Sequence, residues 1–137
     1  FNQWQDVIDR LKADPNSRQA VIQIKNPRPM SEPTKDTPCT LSLQFLLRDG
    51  RLNLTTTMRS NDVWTGVPYD MFSFCSMQVM MAMTLGVDVG TYTHQAGSLH
   101  IYERNLPDGE KTLEGGNETQ KPKLESGVQE SSVKSNK

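Results

Sequence analysis

The chain has 137 residues, a formal net charge of -1 and only 34% hydrophobic residues, which bounds it to one domain or part of one. A pI near 6.1 leaves no broad basic field for nucleic acid or an anionic membrane, so any anion must be held by a few placed arginines. Two cysteines, Cys39 and Cys75, suit a reduced, cytoplasmic chain better than a disulfide framework. No run of apolar residues is long enough to span a bilayer, His94 and His100 have no CxxC partner for zinc, and no glycine-rich phosphate loop occurs. Opening on Phe1, the chain reads as an internal fragment.

Trp4, Val7, Ile8 and Leu11 fall at helical spacing, and Asp14-Pro15 stops that helix. Ala20 to Ile24 is a β-branched run expected as a buried strand. Pro27, Pro29 and Pro33 make residues 26 to 37 a loop. Leu41, Leu43, Phe45 and Leu47 alternate with polar residues, Asp49-Gly50 signals a hairpin, and Leu52 and Leu54 begin a return strand ending near Met58. Arg59 to Pro68 is a polar, turn-rich segment. Tyr69 to Leu85 is apolar nearly all round, which predicts a helix buried in a domain centre or an interface and closed by Gly86. Val87 to Tyr102 reads as strand with a break at Ala96-Gly97-Ser98. This order predicts an α+β domain over residues 1–106 on a mixed or antiparallel sheet. Residues 107–137 hold no aromatic residue or methionine and are expected to be a disordered, low-complexity tail.

Cys39 lies after a proline and before an amphipathic strand. A free cysteine is commonly a small buried hydrophobe, and Cys75, set among Phe74 and Met77, fits that description. Cys39 gains interest from Arg59-Ser60, where a guanidinium and a hydroxyl could hold a phosphate. Asp62, Asp70, His100 and Tyr102 each read singly as a cap, a core polar group or a surface residue; Asp70 could favour a helix N-terminus. Together they become a site only if they converge.

The segments Pro38-Cys39, Arg59-Ser60-Asn61-Asp62-Val63-Trp64, Gly66-Val67-Pro68-Tyr69-Asp70 and Gly97-Ser98-Leu99-His100-Ile101-Tyr102 resemble thymidylate synthase and its pyrimidine hydroxymethylase relatives, and Asp14 to Arg18 resembles the segment before that family's central strand. Arg59 follows Cys39 by 20 residues, Asp70 follows Arg59 by 11 and His100 follows Arg59 by 41, and the likeness covers about residues 4 to 105. The resemblance implies a mixed sheet with a buried central helix and a cytoplasmic homodimer formed through the sheet face. It makes Cys39 the nucleophile that adds to C6 of a pyrimidine nucleotide, with 5,10-methylenetetrahydrofolate as one-carbon donor. Arg59 and Ser60 would hold the 5′-phosphate, and Arg18 would reach the phosphate of the partner subunit. The family often has two adjacent arginines where this chain has Arg18-Gln19. Asp62 would sit near base and folate, and His100 and Tyr102 would bind the sugar hydroxyl. No metal, nucleic acid or membrane is implied.

Asp70 stands where thymidylate synthases have asparagine. A carboxyl group matches the amino and N3 groups of cytosine, so the resemblance is nearest to the deoxycytidylate or cytidylate 5-hydroxymethylase branch. Water would then capture the exocyclic methylene intermediate and leave tetrahydrofolate. Thymidylate synthesis from dUMP, and a truncated paralogue that binds nucleotide or dimerises without catalysis, are the alternatives. The family's N-terminal third, with an essential glutamate and part of the folate site, has no counterpart here.

Overall fold

The computed structural model describes residues 2–25 and 37–119, with side chains to residue 115. Most of the expected proline-rich loop therefore lies outside the described residues. Two compact units divide the chain, one running to Glu103 and the other from Arg104 onward.

Helix α1 spans Gln3–Ala13. Asn2 accepts from Gln5 N at its start, and Asp14 ends it before Pro15. Val7, Ile8 and Leu11 form its buried stripe. Strands β1 (Val21–Gln23), β2 (Thr40–Arg48), β3 (Arg51–Met58) and β5 (Asp88–Ala96) form a sheet in the order β1-β2-β3-β5. The first two pairings are antiparallel and β3–β5 is parallel, so the sheet is mixed. The β2–β3 hairpin turns at Asp49-Gly50, both with positive φ (52° and 72°), as the dipeptide predicts. Gln3 supplies a carboxamide to the exposed edge of β1: its Nε2 donates to Gln23 O and its Oε1 accepts from Gln23 N.

One face of the sheet is core. Leu43 and Phe45 of β2 and Leu52, Leu54 and Met58 of β3 are buried beneath α1 and α2 (Gly66–Leu85). Trp4 meets Phe45 edge-on, with centroids 6.2 Å apart. The alternate residues of β3 and β5, Asn53, Thr55, Thr57, Thr91, Thr93 and Gln95, lie on the opposite, more polar face.

Helix α2 is covered within this chain only in part. It is buried along a single stripe, Phe74, Gln78, Met81 and Ala82, while Tyr69, Phe72 and Met83 are about three-quarters exposed (74%, 75% and 76%). The sheet and α1 pack against one side of the helix, so composition around the whole circumference overstated its cover within this chain. Gly86, at φ 70°, ends α2 in the left-handed conformation, its N–H donating to Ala82 O and Met83 O.

Gln78 is 2% exposed inside that stripe. Its Nε2 lies 2.8 Å from Leu52 O, 3.2 Å from Thr91 O and 3.3 Å from Gly90 O, where the β3–β5 register shifts. The irregular pairing frees carbonyls there, and the carboxamide supplies the missing donor. Gln78→Leu is expected to cost about 2 kcal/mol by leaving buried carbonyls without a donor. Urea unfolding measures this; an unchanged midpoint would remove that role.

Strand β4 (Asn61–Asp62) pairs in parallel with β6 (Leu99–His100) as a separate ribbon. Gly97, at the expected break after β5, donates to Met58 O, and its α-carbon approaches Arg59 O where a Cβ would sit at 3.2 Å. In the second unit, helix α3 (Leu106–Thr119) occupies residues expected to be disordered. Pro107 in its first turn, Asp108 near the N-terminus and the Lys111–Asp108 pair favour a helix locally, without the buried apolar stripe that composition was asked to supply. Residues 120–137 lie outside the described residues. No helix among the described residues is long and apolar enough to cross a membrane.

Candidate active site

Cys39 is exposed, one residue before β2. Arg59, one residue after β3, lies beside it because β2 and β3 pair over their full length. Arg59 N donates to Cys39 O at 2.8 Å, Nη2 to Thr37 O at 2.8 Å and Nε to Pro38 O at 3.1 Å. The guanidinium is thus folded over the two peptide units that lead into Cys39. These bonds leave further N–H donors of the fork for an anion.

The β4–β6 ribbon brings the next group together. Asn61 N donates to Ser98 O and Val63 N to His100 O, both at 2.8 Å. Ser60 Oγ then lies 3.4 Å from His100 Nδ1, and the His100 ring meets Tyr102 edge-on at 5.0 Å. Four residues expected at the nucleotide, Arg59, Ser60, His100 and Tyr102, therefore form a continuous group next to the Cys39 backbone.

Asp62 has a local task. Its Oδ2 accepts from Thr65 Oγ1 at 2.6 Å and Thr65 N at 3.1 Å, and its Oδ1 from Trp64 N at 3.2 Å, which satisfies donors at the approach to α2. The Thr65 hydroxyl is the main cause that holds its carboxyl below the usual carboxylate range; desolvation, second in weight, opposes it, and the two backbone N–H groups and the His100 charge add to the lowering. Asp70 is half-buried on α2, in the second turn. Arg18 is exposed, and Gln44 Nε2 donates to its carbonyl at 3.1 Å. Gln44 lies well along β2, roughly 16 Å from Cys39 at strand rise, so Arg18 does not join the Cys39 group within one chain.

Sequence reasoning passed over Tyr92 and used His94 only to exclude zinc. Both point to the core side of β5. His94 Nδ1 lies 2.7 Å from the Tyr92 hydroxyl and Nε2 2.8 Å from Asn61 Nδ2. Burial pushes the Tyr92 phenol up; the Thr56 hydroxyl opposes this, and the charges of Cys75 and Asp70 add to it. Thr56 Oγ1 is fully buried without a well-formed hydrogen bond, and the phenol is the polar group beside it. The i, i+2 spacing of Tyr92 and His94 was the available signal. Among the described residues no group of histidine, cysteine or carboxylate side chains is arranged to hold a metal.

The sequence family described as thymidylate synthase matches residues 1–136. The chain is 43% identical over 105 residues to a deoxyuridylate hydroxymethyltransferase of Bacillus phage SP01, covering 74% of this chain and 27% of that protein. It is 30% identical over 113 residues to a thymidylate synthase of Listeria monocytogenes serovar 1/2a, covering 82% of this chain and 36% of that protein. Among solved structures, the thermostable thymidylate synthase A from Bacillus subtilis superposes with a TM-score of 0.75 at 29% identity, covering 82% of this chain and 40% of that one. The chain thus spans between about a quarter and two-fifths of the length of these relatives. The sequence match over residues 1–136, with a fold match over 82% of the chain, places the chain in the thymidylate synthase family.

Proposed function

We propose that this chain carries the nucleophile and nucleotide cradle of a pyrimidine C5 hydroxymethyltransferase, with dCMP as the favoured substrate and CMP as the related one. The observation that carries this reading is the union of Cys39 with Arg59. Cys39 is exposed, and Arg59 is hydrogen-bonded to its backbone carbonyl and to those of the two residues before it. A nucleotide phosphate on Arg59 and Ser60 therefore brings its pyrimidine within the reach of one nucleoside from the anchor. Hydroxymethylation is supported by the phage relative, and cytosine by the carboxyl group of Asp70.

In this reading the Cys39 thiolate adds to C6, and the electron pair of the 5,6 double bond moves to C5. C5 then forms a bond to a one-carbon unit. The family's donor is 5,10-methylenetetrahydrofolate, which supplies that carbon at the oxidation level of formaldehyde. Loss of the C5 proton together with cleavage of the carbon–nitrogen bond to the donor would release tetrahydrofolate and leave an exocyclic methylene group on the pyrimidine; water would add to that carbon, and expulsion of the Cys39 thiolate from C6 would restore the 5,6 double bond. Carbon enters and leaves at one oxidation level, so tetrahydrofolate is the co-product. The residues present fit a pterin edge to a limited degree. Val63 and Leu99 are exposed on the β4–β6 ribbon (44% and 61%), and the Asp62 carboxylate, with acceptor capacity to spare, can take ring N–H groups. Arg18 is assigned to the phosphate of a partner subunit in a homodimer joined through the polar sheet face.

A second reading has dUMP as the substrate of the same reaction. It is favoured by the phage relative, a deoxyuridylate hydroxymethyltransferase. Incubating the full chain with methylenetetrahydrofolate and C5-tritiated dCMP, CMP or dUMP tests both. Tritium release with a 5-hydroxymethyl product and no dihydrofolate absorbance is expected, fastest with dCMP. Fastest turnover of dUMP selects the second reading, and failure of the chain both to release tritium from and to bind any of the three rejects the proposal.

A further inference from the structure

Within the segment Arg59 to Asp62, Asn61 is the buried residue, 3% exposed. Three elements enclose its carboxamide. Nδ2 lies 3.2 Å from Met58 Sδ at the end of β3 and 2.8 Å from His94 Nε2 on β5. Oδ1 packs against Gly66, the first residue of α2, where no Cβ would fit. His94 is held in turn by the Tyr92 hydroxyl at 2.7 Å from Nδ1.

Donor and acceptor roles follow from valence. A thioether sulfur accepts, so the amide edge facing Met58 is the NH₂ group. The same NH₂ faces His94, whose Nε2 must therefore accept. A neutral imidazole then carries its proton on Nδ1 and donates it to Tyr92 Oη. An Nε2–H would oppose the amide hydrogens.

We propose that His94, held by Tyr92, is a positioning residue of the nucleotide site: it fixes Asn61, and through Asn61 the presentation of Arg59 and Ser60 relative to the first turns of α2, where Asp70 lies. Asn61 is bonded in sequence to Ser60 on one side and Asp62 on the other. With its carboxamide held on three sides, Asn61 anchors the backbone of the turn that carries Ser60 and Arg59. Packing on Gly66 ties the same carboxamide to α2. His94 touches no reacting atom in this account; it acts through Asn61. The functional half of the inference rests on the nucleotide-binding reading above, and the structural half does not.

Two variants separate position from mere bulk. His94→Gln keeps the polarity, since Oε1 can accept from Asn61 and Nε2 can donate to Tyr92. His94→Leu keeps volume and removes both bonds. Nitrogen-15 NMR of the unaltered full chain should find His94 as the Nδ1–H tautomer at neutral pH. In His94→Leu, with folding checked by circular dichroism, the Arg59 and Ser60 amide resonances should shift, and the dissociation constant for dCMP should rise on the order of tenfold or more. His94→Gln should restore both readouts to near the unaltered values. An Nε2–H tautomer, or a folded His94→Leu with unmoved Arg59 and Ser60 resonances, overturns the inference. If the unaltered chain binds no pyrimidine nucleotide, the function proposed above fails, while the tautomer and amide shifts still decide the role of His94 in the turn.

Discussion

Cys39→Ala is expected to abolish C5 tritium release, with a loss on the order of ten-thousandfold or more, because no other group can form the bond to C6 that activates C5. The nucleotide dissociation constant should change little, since the proposed reading assigns the phosphate and sugar contacts to Arg59, Ser60, His100 and Tyr102. Folding should be nearly indifferent: Cys39 is exposed, and an exposed substitution away from a cap or buried polar group shifts stability by about 0.5 kcal/mol or less. Loss of activity with retained binding and stability is the signature of a nucleophile. Cys75 provides the internal comparison, half-buried in mid-helix, and Cys75→Ala should retain turnover. A covalent version of the test uses the 5-fluoro analogue of dCMP with methylenetetrahydrofolate. Fluorine cannot leave as the C5 proton does, so the adduct should remain on the peptide containing Cys39. Residual turnover near the unaltered rate in Cys39→Ala would remove the thiol from the mechanism.

The elements that carry this site were legible where the signal was local. The Asp49-Gly50 turn, the alternation in β2 and β3, and the 3.6-residue spacing of Val7, Ile8 and Leu11 each reside in a few consecutive residues. The hairpin then aligns Cys39 with Arg59, so a local turn signal fixes a contact across 20 residues. What escaped was of two kinds. The cover on α2 depends on what packs around it, which no property of the helix itself encodes. The Asn61–His94–Tyr92 chain depends on β4 and β5 meeting beneath α2, a juxtaposition of side chains 33 residues apart in sequence. Alternation shows that Tyr92 and His94 share a face; it does not show what lies opposite. Helix α3 escaped because scarcity of apolar residues argues against a buried helix, and α3 is an exposed one.

Asp70→Asn is the substitution expected to move base preference furthest. Cytosine offers an amino donor at N4 and an acceptor at N3; uracil offers an acceptor at O4 and a donor at N3. A carboxylate accepts from the N4 amino group and opposes O4, and a shared proton can bridge it to N3 of cytosine. A carboxamide donates to O4 and accepts from N3–H. The two side chains have the same shape, so the exchange alters hydrogen-bond polarity with little change of volume. Discrimination by paired hydrogen bonds is steep because the wrong base leaves desolvated groups unsatisfied; the ratio of kcat/KM for dCMP to that for dUMP should fall on the order of a hundredfold or more. Asp70 is half-buried on the second turn of α2, the helix whose first residue, Gly66, packs on the Asn61 carboxamide. Base reading and phosphate binding are then set by one packed unit, and Asp70→Asn should change the ratio of the two substrates without loosening the phosphate anchor. Competition between dCMP and dUMP, with thermal melting as the control for folding, decides it. An unchanged ratio in a stably folded variant would mean that another group reads the base, and the 43% identity to a deoxyuridylate hydroxymethyltransferase would then be the better guide to substrate.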